Sequence, residues 1–321
     1  MRENGEGSRP TRHMFPAFLT TILFSLSAIC ANRTTRAVGG IAANFWRLII
    51  AAFLLGIWAH TFSVGVSGKS FPVFFISGIV GFGLGDLALY QALPRLGSRL
   101  SILLVHCLAA PFAALTEWLW LGTRLSQWQV TFGIVILLGV ALALAPGEHV
   151  EITRKSLLAG IAFGVFAALG QGFGAVLSRK AFEVAGQSGL NLDGITAAYQ
   201  RILGGVVVAA LSFFLMKPLV QRVLAAKERG EGNRDEPQPR RFWLWVVMNA
   251  LAGPVLGVSC YQWALKTMPT GVVLPVVAIT PIVIIPFSMK LEGERPTERS
   301  LAGGIVAVIG VIGLARVTHP F

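Results

Sequence analysis

The chain has 321 residues, of which 54% are hydrophobic and only 13% charged, with a mean hydropathy of +0.69 and a net charge of +12. A soluble domain carries about 25% charged residues, so this composition excludes a water-soluble fold and points to a chain embedded in lipid. The basic residues lie mostly between apolar runs and form no aromatic-studded surface segment, which excludes nucleic acid and suits contacts to anionic lipid headgroups.

A polar tail at 1–13 precedes the first apolar run. Arg2, Arg9 and Arg12 ahead of 14–31 resemble the start of a signal peptide, but the run is long enough to span and Ala28-Ile29-Cys30 makes a poor cleavage site. Further runs follow at 38–61, 71–93, 100–121, 128–146, 157–178, 194–216, 242–265, 271–289 and 301–317. A helix needs about 20 residues to cross the hydrocarbon core, and backbone groups in lipid must be satisfied internally. The ten runs therefore predict ten transmembrane helices in an all-α polytopic membrane protein.

The breaks carry helix-ending residues. Pro94-Arg95-Leu96-Gly97 separates runs three and four by so few residues that these helices must be antiparallel neighbours, and Pro146-Gly147 closes run five. The segment 217–241 is the one long polar stretch and reads as a flexible loop, with a possible interfacial helix at 220–227. Trp58, Trp118, Trp120, Trp128, Trp243 and Trp245 lie toward run ends, as an interfacial aromatic belt requires. The pairs Gly81/Gly85, Gly160/Gly164 and Gly170/Gly174 predict close helix crossings. Pro111, Pro275, Pro281 and Pro286 predict interrupted helices in the fourth and ninth runs. Cys30, Cys107 and Cys260 all lie in apolar runs without metal-ligand spacing, and the chain shows no cofactor or metal motif.

The chain also repeats itself. Tyr90-Gln91 and Tyr261-Gln262 are 171 residues apart, and each pair is followed closely by Ala-Leu. At the same offset the stretch 121–126 parallels 292–297, Gly133 parallels Gly304, and Gly139-Val140 parallels Gly310-Val311. Gly85 matches Gly257 at an offset of 172, and Phe45-Trp46-Arg47 matches Tyr199-Gln200-Arg201 in the second run of each half. Residues 14–146 and 157–317 thus read as two copies of one five-helix unit. Five is odd, so the copies enter the membrane from opposite sides and are inverted, a signature of secondary transporters.

Ten spans in a five-plus-five repeat, an arginine in the second span of each half, Gly-Glu-Arg-Pro-Thr at 293–297, and the late Pro111 and Pro281 together resemble the EamA-like branch of the drug/metabolite transporter superfamily. The first copy departs from the family pattern by carrying Gly122-Thr123 where Gly-Glu is usual. The resemblance implies an exporter or exchanger of amino acids, purines or related metabolites. It implies a multi-pass protein of a bacterial plasma membrane, as monomer or homodimer.

Ionised groups inside a span cost roughly 2.5–3.5 kcal/mol on insertion scales and persist when paired or facing a cavity. Asp86 stands out as an acid deep within a run, and Val258 occupies the matching place in the second copy. It is either a coupling carboxylate that carries protons or a fixed partner of Arg47. Arg47 and Arg201 could together hold a carboxylate or phosphate, or could serve only to pair and cap. His106 could relay protons. Tyr90, Gln91, Gln262 and Gln171 could line a cavity or bridge helices, and Trp46 and Trp263 could stack on a ring-bearing substrate or fill space. No Walker motif is present, so energy would come from a gradient or from exchange. The sequence has no paired acids, clustered histidines or activated nucleophile, so no enzyme is expected, and a membrane transferase or a non-transporting scaffold or lipid-handling protein is the rival.

Overall fold

A computed structural model describes residues 11–144, 154–228, 239–283 and 297–317. These residues contain no strand. In chain order the helices are α1 (Thr11–Val38), α2 (Gly40–Phe62), α3 (Phe71–Gly78), a π-helical segment (Ile79–Gly85), α4 (Asp86–Leu121), α5 (Gln127–Leu144), α6 (Arg154–Gln187) and α7 (Gly194–Glu228). Then come α8 (Pro239–Ala250), a second π-helical segment (Leu251–Gly257), α9 (Val258–Thr267), α10 (Thr270–Val277), α11 (Thr280–Val283) and α12 (Glu298–Val317). Eight stretches are long and apolar enough to cross a membrane, and two shorter apolar ones, Gln127–Ala143 and Thr270–Val283, fall on the fifth and ninth predicted runs.

Residues on both sides of Pro94 are helical, yet the chain reverses there, as the packing against α6 shows. Ser77 bonds the Gly174 carbonyl and Ser178, Gly85 lies against Gly170, and Leu96 lies against Gly160. Beyond the turn the order inverts: Leu104 meets Gly164, Ala109 meets Gly172, and Glu117 meets Arg179. The 71–93 and 100–121 stretches are therefore antiparallel neighbours on one helix, with α6 as their common partner. Glycine makes the contact possible. A Cβ on Gly170 would stand 2.8 Å from the Gly85 Cα and 2.9 Å from the Val80 carbonyl oxygen, a crossing that only a missing side chain permits.

α1 makes the corresponding contacts in the other half. Its Thr20 hydroxyl reaches the Gly257 carbonyl and Ser27 bonds Asn249, so α1 runs antiparallel to the eighth run. Its Thr21 and Ser25 reach the carbonyls of Val276 and Thr280, so it runs parallel to the ninth. α6 stands in the same relation to the third and fourth runs. The second run of each half meets its counterpart antiparallel, with Phe45 stacked on Phe213 and Gly56 against Tyr199. α5 and α12 do the same, Gly139 against Ala307 and Gly310 against Ile136. These last two helices pack on each other at the edge of the bundle, leaving Leu138, Ile305 and Ile309 on an outward face.

Several sequence parallels acquire a structural cause. The two π-helical segments both span seven residues and lie 172 apart, each ending on the matched glycine, Gly85 or Gly257. Ser126 and Gln129 form a reciprocal capping box at the start of α5: the Gln129 N–H donates to the Ser126 hydroxyl at 3.2 Å, and the Ser126 N–H donates to the Gln129 side chain at 2.9 Å. Thr297 accepts from the Ser300 N–H at 3.2 Å at the start of α12. The aligned stretches 121–126 and 292–297 thus share a helix-start cap. Gly122 ends α4 with a φ of 72°, the left-handed conformation that favours glycine after a helix.

Three expectations need revision or restriction. Pro111 is exposed and the helix continues on both sides of it, so it breaks nothing. The ninth run does break, between Val277 and Thr280, where Pro281 cannot bond the Val277 carbonyl and the Thr280 hydroxyl takes it at 2.6 Å. The 217–241 stretch continues α7 to Glu228 and resumes as helix at Pro239. Pro146-Gly147, Pro286 and 293–296 lie outside the described residues.

Candidate functional site

Asp86 follows directly on the first π-helical segment and is only 6% exposed. Its Oδ2 accepts from Arg47 Nη2 on α2 at 3.1 Å, and Arg47 is steadied in turn by its Nε bond to Asn44 Oδ1 at 2.8 Å, one helical turn earlier. The predicted pair is therefore formed. A buried acid without this partner would carry a desolvation cost of several kcal/mol.

Arg201 on α7 is 5% exposed and lies within electrostatic reach of Asp86, yet it forms no ion pair among the described residues. Its guanidinium lies 4.9 Å from the Phe82 ring and 5.7 Å from the Tyr261 ring. Its Nε is buried without an acceptor. The backbone geometry explains how it gets there. α7 and α3 cross at Gly78, Gly204 and Gly205, where backbone meets backbone. Cβ atoms on Gly81 and Gly174 would stand 2.6 and 3.0 Å from Arg201 Nη2, so both glycines clear room for the guanidinium.

Gln262 is fully buried on α9; its Nε2 donates to Ser178 at 3.3 Å, while its Oε1 has no donor. With Ser77 and Ser178 it forms a polar ladder one turn along α6 from Gly174. The remaining predicted residues do not join this cluster. Gln91 bonds Arg95 at 3.0 Å near the chain reversal. His106 and Gln171 are half-buried and have no hydrogen-bond partner among the described residues. Trp46 is turned outward, edge-on to Trp243 at 5.4 Å, and Trp263 is 48% exposed beside Gly194, so neither ring is placed to stack on a ligand near Asp86. The side chain of Tyr90 lies outside the described residues.

Asp86 is not the only buried acid. Glu117, near the end of the fourth run, is 1% exposed. Its Oε1 accepts from Arg179 Nε at 2.9 Å, and its Oε2 accepts from the Thr270 N–H at 2.6 Å and the Thr270 hydroxyl at 2.5 Å. Arg179 also donates to the carbonyls of Leu265 and Met268, both at 3.0 Å. The signs are matched to the backbone: the cation sits at the C-terminus of α9 and the anion at the N-terminus of α10. Glu117 belongs to the first half and its partners to the second, so this knot ties the halves together at one end of the bundle. Glu117 and Arg179 each stand near a run end, where a charge needs no partner, so neither stands out in the sequence. The available signal was an acid and a threonine, Glu117 and Thr270, each flanking a polar break.

The EamA-like transporter family matches residues 12–145 and again 158–316. A solved crystal structure shares the fold, with a TM-score of 0.71 at 18% identity over 94% of this chain and 96% of that one. No curated protein matches the chain. Two family matches covering nearly the whole length, on a chain whose described residues contain no strand and include eight stretches able to cross a membrane, place this multi-pass membrane protein in the EamA-like transporter family of the drug/metabolite transporter superfamily, whose members are transporters and not enzymes.

Proposed function

We propose that the chain is a secondary-active transporter that exports or exchanges a small organic metabolite by alternating access between two inverted five-helix repeats. The observation that carries this reading is the antiparallel pairing of equivalent helices. The second run of one half lies antiparallel to the second run of the other, and α5 lies antiparallel to α12. Such pairing is what a pseudo-two-fold axis in the membrane plane produces, and with it two units can exchange conformations around one central site. The π-helical segments support the same reading, since they distort the same helix in each copy beside the buried charges, and π-bulges recur at functional sites.

In this reading the ten runs are ten spans in a bacterial plasma membrane, and Asp86, Arg47 and Arg201 form the substrate or coupling centre, with protons as the coupling ion. The knot at Glu117 is a closed gate at one end. Basic loops contact anionic lipid, and the protein works as a monomer or homodimer. Domain limits at 14–146 and 157–317 are those of the two repeats.

Reconstitution into liposomes tests the proposal. Counterflow of labelled amino acids, purines, sugars and organic acids should show uptake for one class, lost in Asp86→Asn and Arg47→Ala protein that still folds. Absence of flux for every class, or full flux in both variants, would refute transport or this centre respectively. A scaffold would show no flux in any form.

A further inference from the structure

Arg47 and Arg201 hold matching positions in the two halves, but the structure gives them different electrostatic situations. Arg47 is committed to Asp86 and Asn44. Arg201 has its Nε donor buried without an acceptor, no hydrogen bond among the described residues, and two aromatic rings within 6 Å of its guanidinium. A ring face offsets only part of a cation's desolvation. Gly81 and Gly174 make room for the guanidinium itself, so a side chain 95% buried holds its Nε donor inside the protein with no acceptor, an arrangement that an incoming anion would complete.

Resting on the transport reading above, we infer that Arg201 receives a carboxylate of the transported solute. Charge selects this class. Arg47, Arg201 and Asp86 sum to one net positive charge, which a single carboxylate neutralises. A phosphate monoester at about −1.5 to −2 would overshoot it, and an amine would add to it. Geometry agrees, because a guanidinium fork matches a carboxylate edge with two parallel N–H···O bonds. The two symmetry-related arginines therefore do not share the anion: one is spent on the protein's own acid, and the other serves the solute.

The test uses the purified full-length protein. Its melting temperature is followed against acetate, propionate and phenylacetate, each compared with its primary amide and with methyl phosphate at equal ionic strength. A ligand bound only by the folded state raises stability as RT ln(1 + [L]/Kd). The expected result is a concentration-dependent rise with at least one carboxylate and none with its amide, weakened tenfold or more in Arg201→Gln. Should Arg201→Gln fail to fold, Arg201→Lys, which keeps the charge and loses the fork, must weaken the response. Equal responses to acid and amide, an unchanged response in the variants, or a larger response to methyl phosphate would overturn the inference. Liposome uptake separates the two levels. Carboxylate binding without any flux refutes transport and leaves the anion site, whereas flux of neutral or cationic solutes without a carboxylate response refutes the anion site and leaves transport.

Discussion

Glu117→Ala removes the centre of the knot between the two halves. The wild-type carboxylate is almost wholly buried and satisfies three donors: Arg179 Nε at 2.9 Å, the Thr270 N–H at 2.6 Å and the Thr270 hydroxyl. Hydrogen bonds to a charged group contribute about 1.5–3 kcal/mol each, but Arg179 keeps its two carbonyl acceptors at Leu265 and Met268. The loss should therefore match that of a buried pair deprived of one partner, about 3–5 kcal/mol. Glu117→Gln should lose nearly as much, because its amide nitrogen must face either Arg179 or the Thr270 N–H, and both are donors. Titration with SDS in mixed micelles, followed by tryptophan fluorescence, measures the unfolding free energy. The single variants Glu117→Met and Arg179→Met with their double form a cycle, and the double should recover at least about 1 kcal/mol relative to additivity, since it leaves no unpaired charge. A loss under 1 kcal/mol in Glu117→Ala, or strict additivity in the cycle, would refute the account of the knot.

Further outcomes follow from packing, from a helix cap and from its titration. Gly170→Ala would press a Cβ onto the Gly85 backbone and should destabilise by about 1–3 kcal/mol, whereas a Cβ at Gly133 meets nothing nearer than 3.8 Å, so Gly133→Ala should be neutral or gain up to about 1 kcal/mol in the same SDS titration. Asp193 caps α7, accepting from the N–H groups of Ile195 and Thr196 and from the Thr196 hydroxyl; Asp193→Ala should cost about 0.5–2 kcal/mol. Burial raises the Asp193 carboxyl, but the hydrogen bonds from Thr196, Ser63 and Ile195 outweigh it and hold it below the ordinary aspartate range. A depressed folded value means stability that is present above the unfolded value and lost as pH falls through the folded one. The gap between wild type and Asp193→Ala should thus shrink between about pH 5 and pH 2, and a gap independent of pH across that interval would remove the carboxylate from the explanation.

What the sequence made legible is what local chemistry dictates. Run lengths located the eight stretches able to cross a membrane, the glycine pairs located the α6 crossings, and the offset of 172 reappears as two π-helical segments of the same length. The Arg47–Asp86 pair could be read because few charges lie inside the runs and two of them must meet. The Glu117–Arg179 pair could not, since 62 residues separate its members and each stands near a run end, where a charge needs no partner. The outward turn of Trp46 and Trp263 was equally hidden: an apolar run surrounded by lipid shows no polar face to fix its rotation, so the stripe facing the protein cannot be read from periodicity alone.

The asymmetry at Asp86 supplies the last test. In the first half, an arginine of the second run meets an acid placed directly after the π-helical segment. In the second half the arginine is Arg201, and the residue directly after the π-helical segment is Val258, 2% exposed and one turn before Tyr261, whose ring already lies 5.7 Å from the Arg201 guanidinium. Val258→Asp would therefore rebuild the first-half pair in the second. Were the site simply intolerant of charge, an unpaired buried carboxylate would cost several kcal/mol and Val258→Asp would be far less stable than Val258→Asn. If Arg201 instead stands ready for an anion, the new carboxylate should occupy it. Val258→Asp should then be at least as stable as Val258→Asn in the SDS titration, and it should lose the melting-temperature response to carboxylates that the wild type shows. A Val258→Asp protein that folds and still responds to carboxylates as the wild type does would separate the anion site from Arg201, because the internal acid and the solute compete for the same guanidinium.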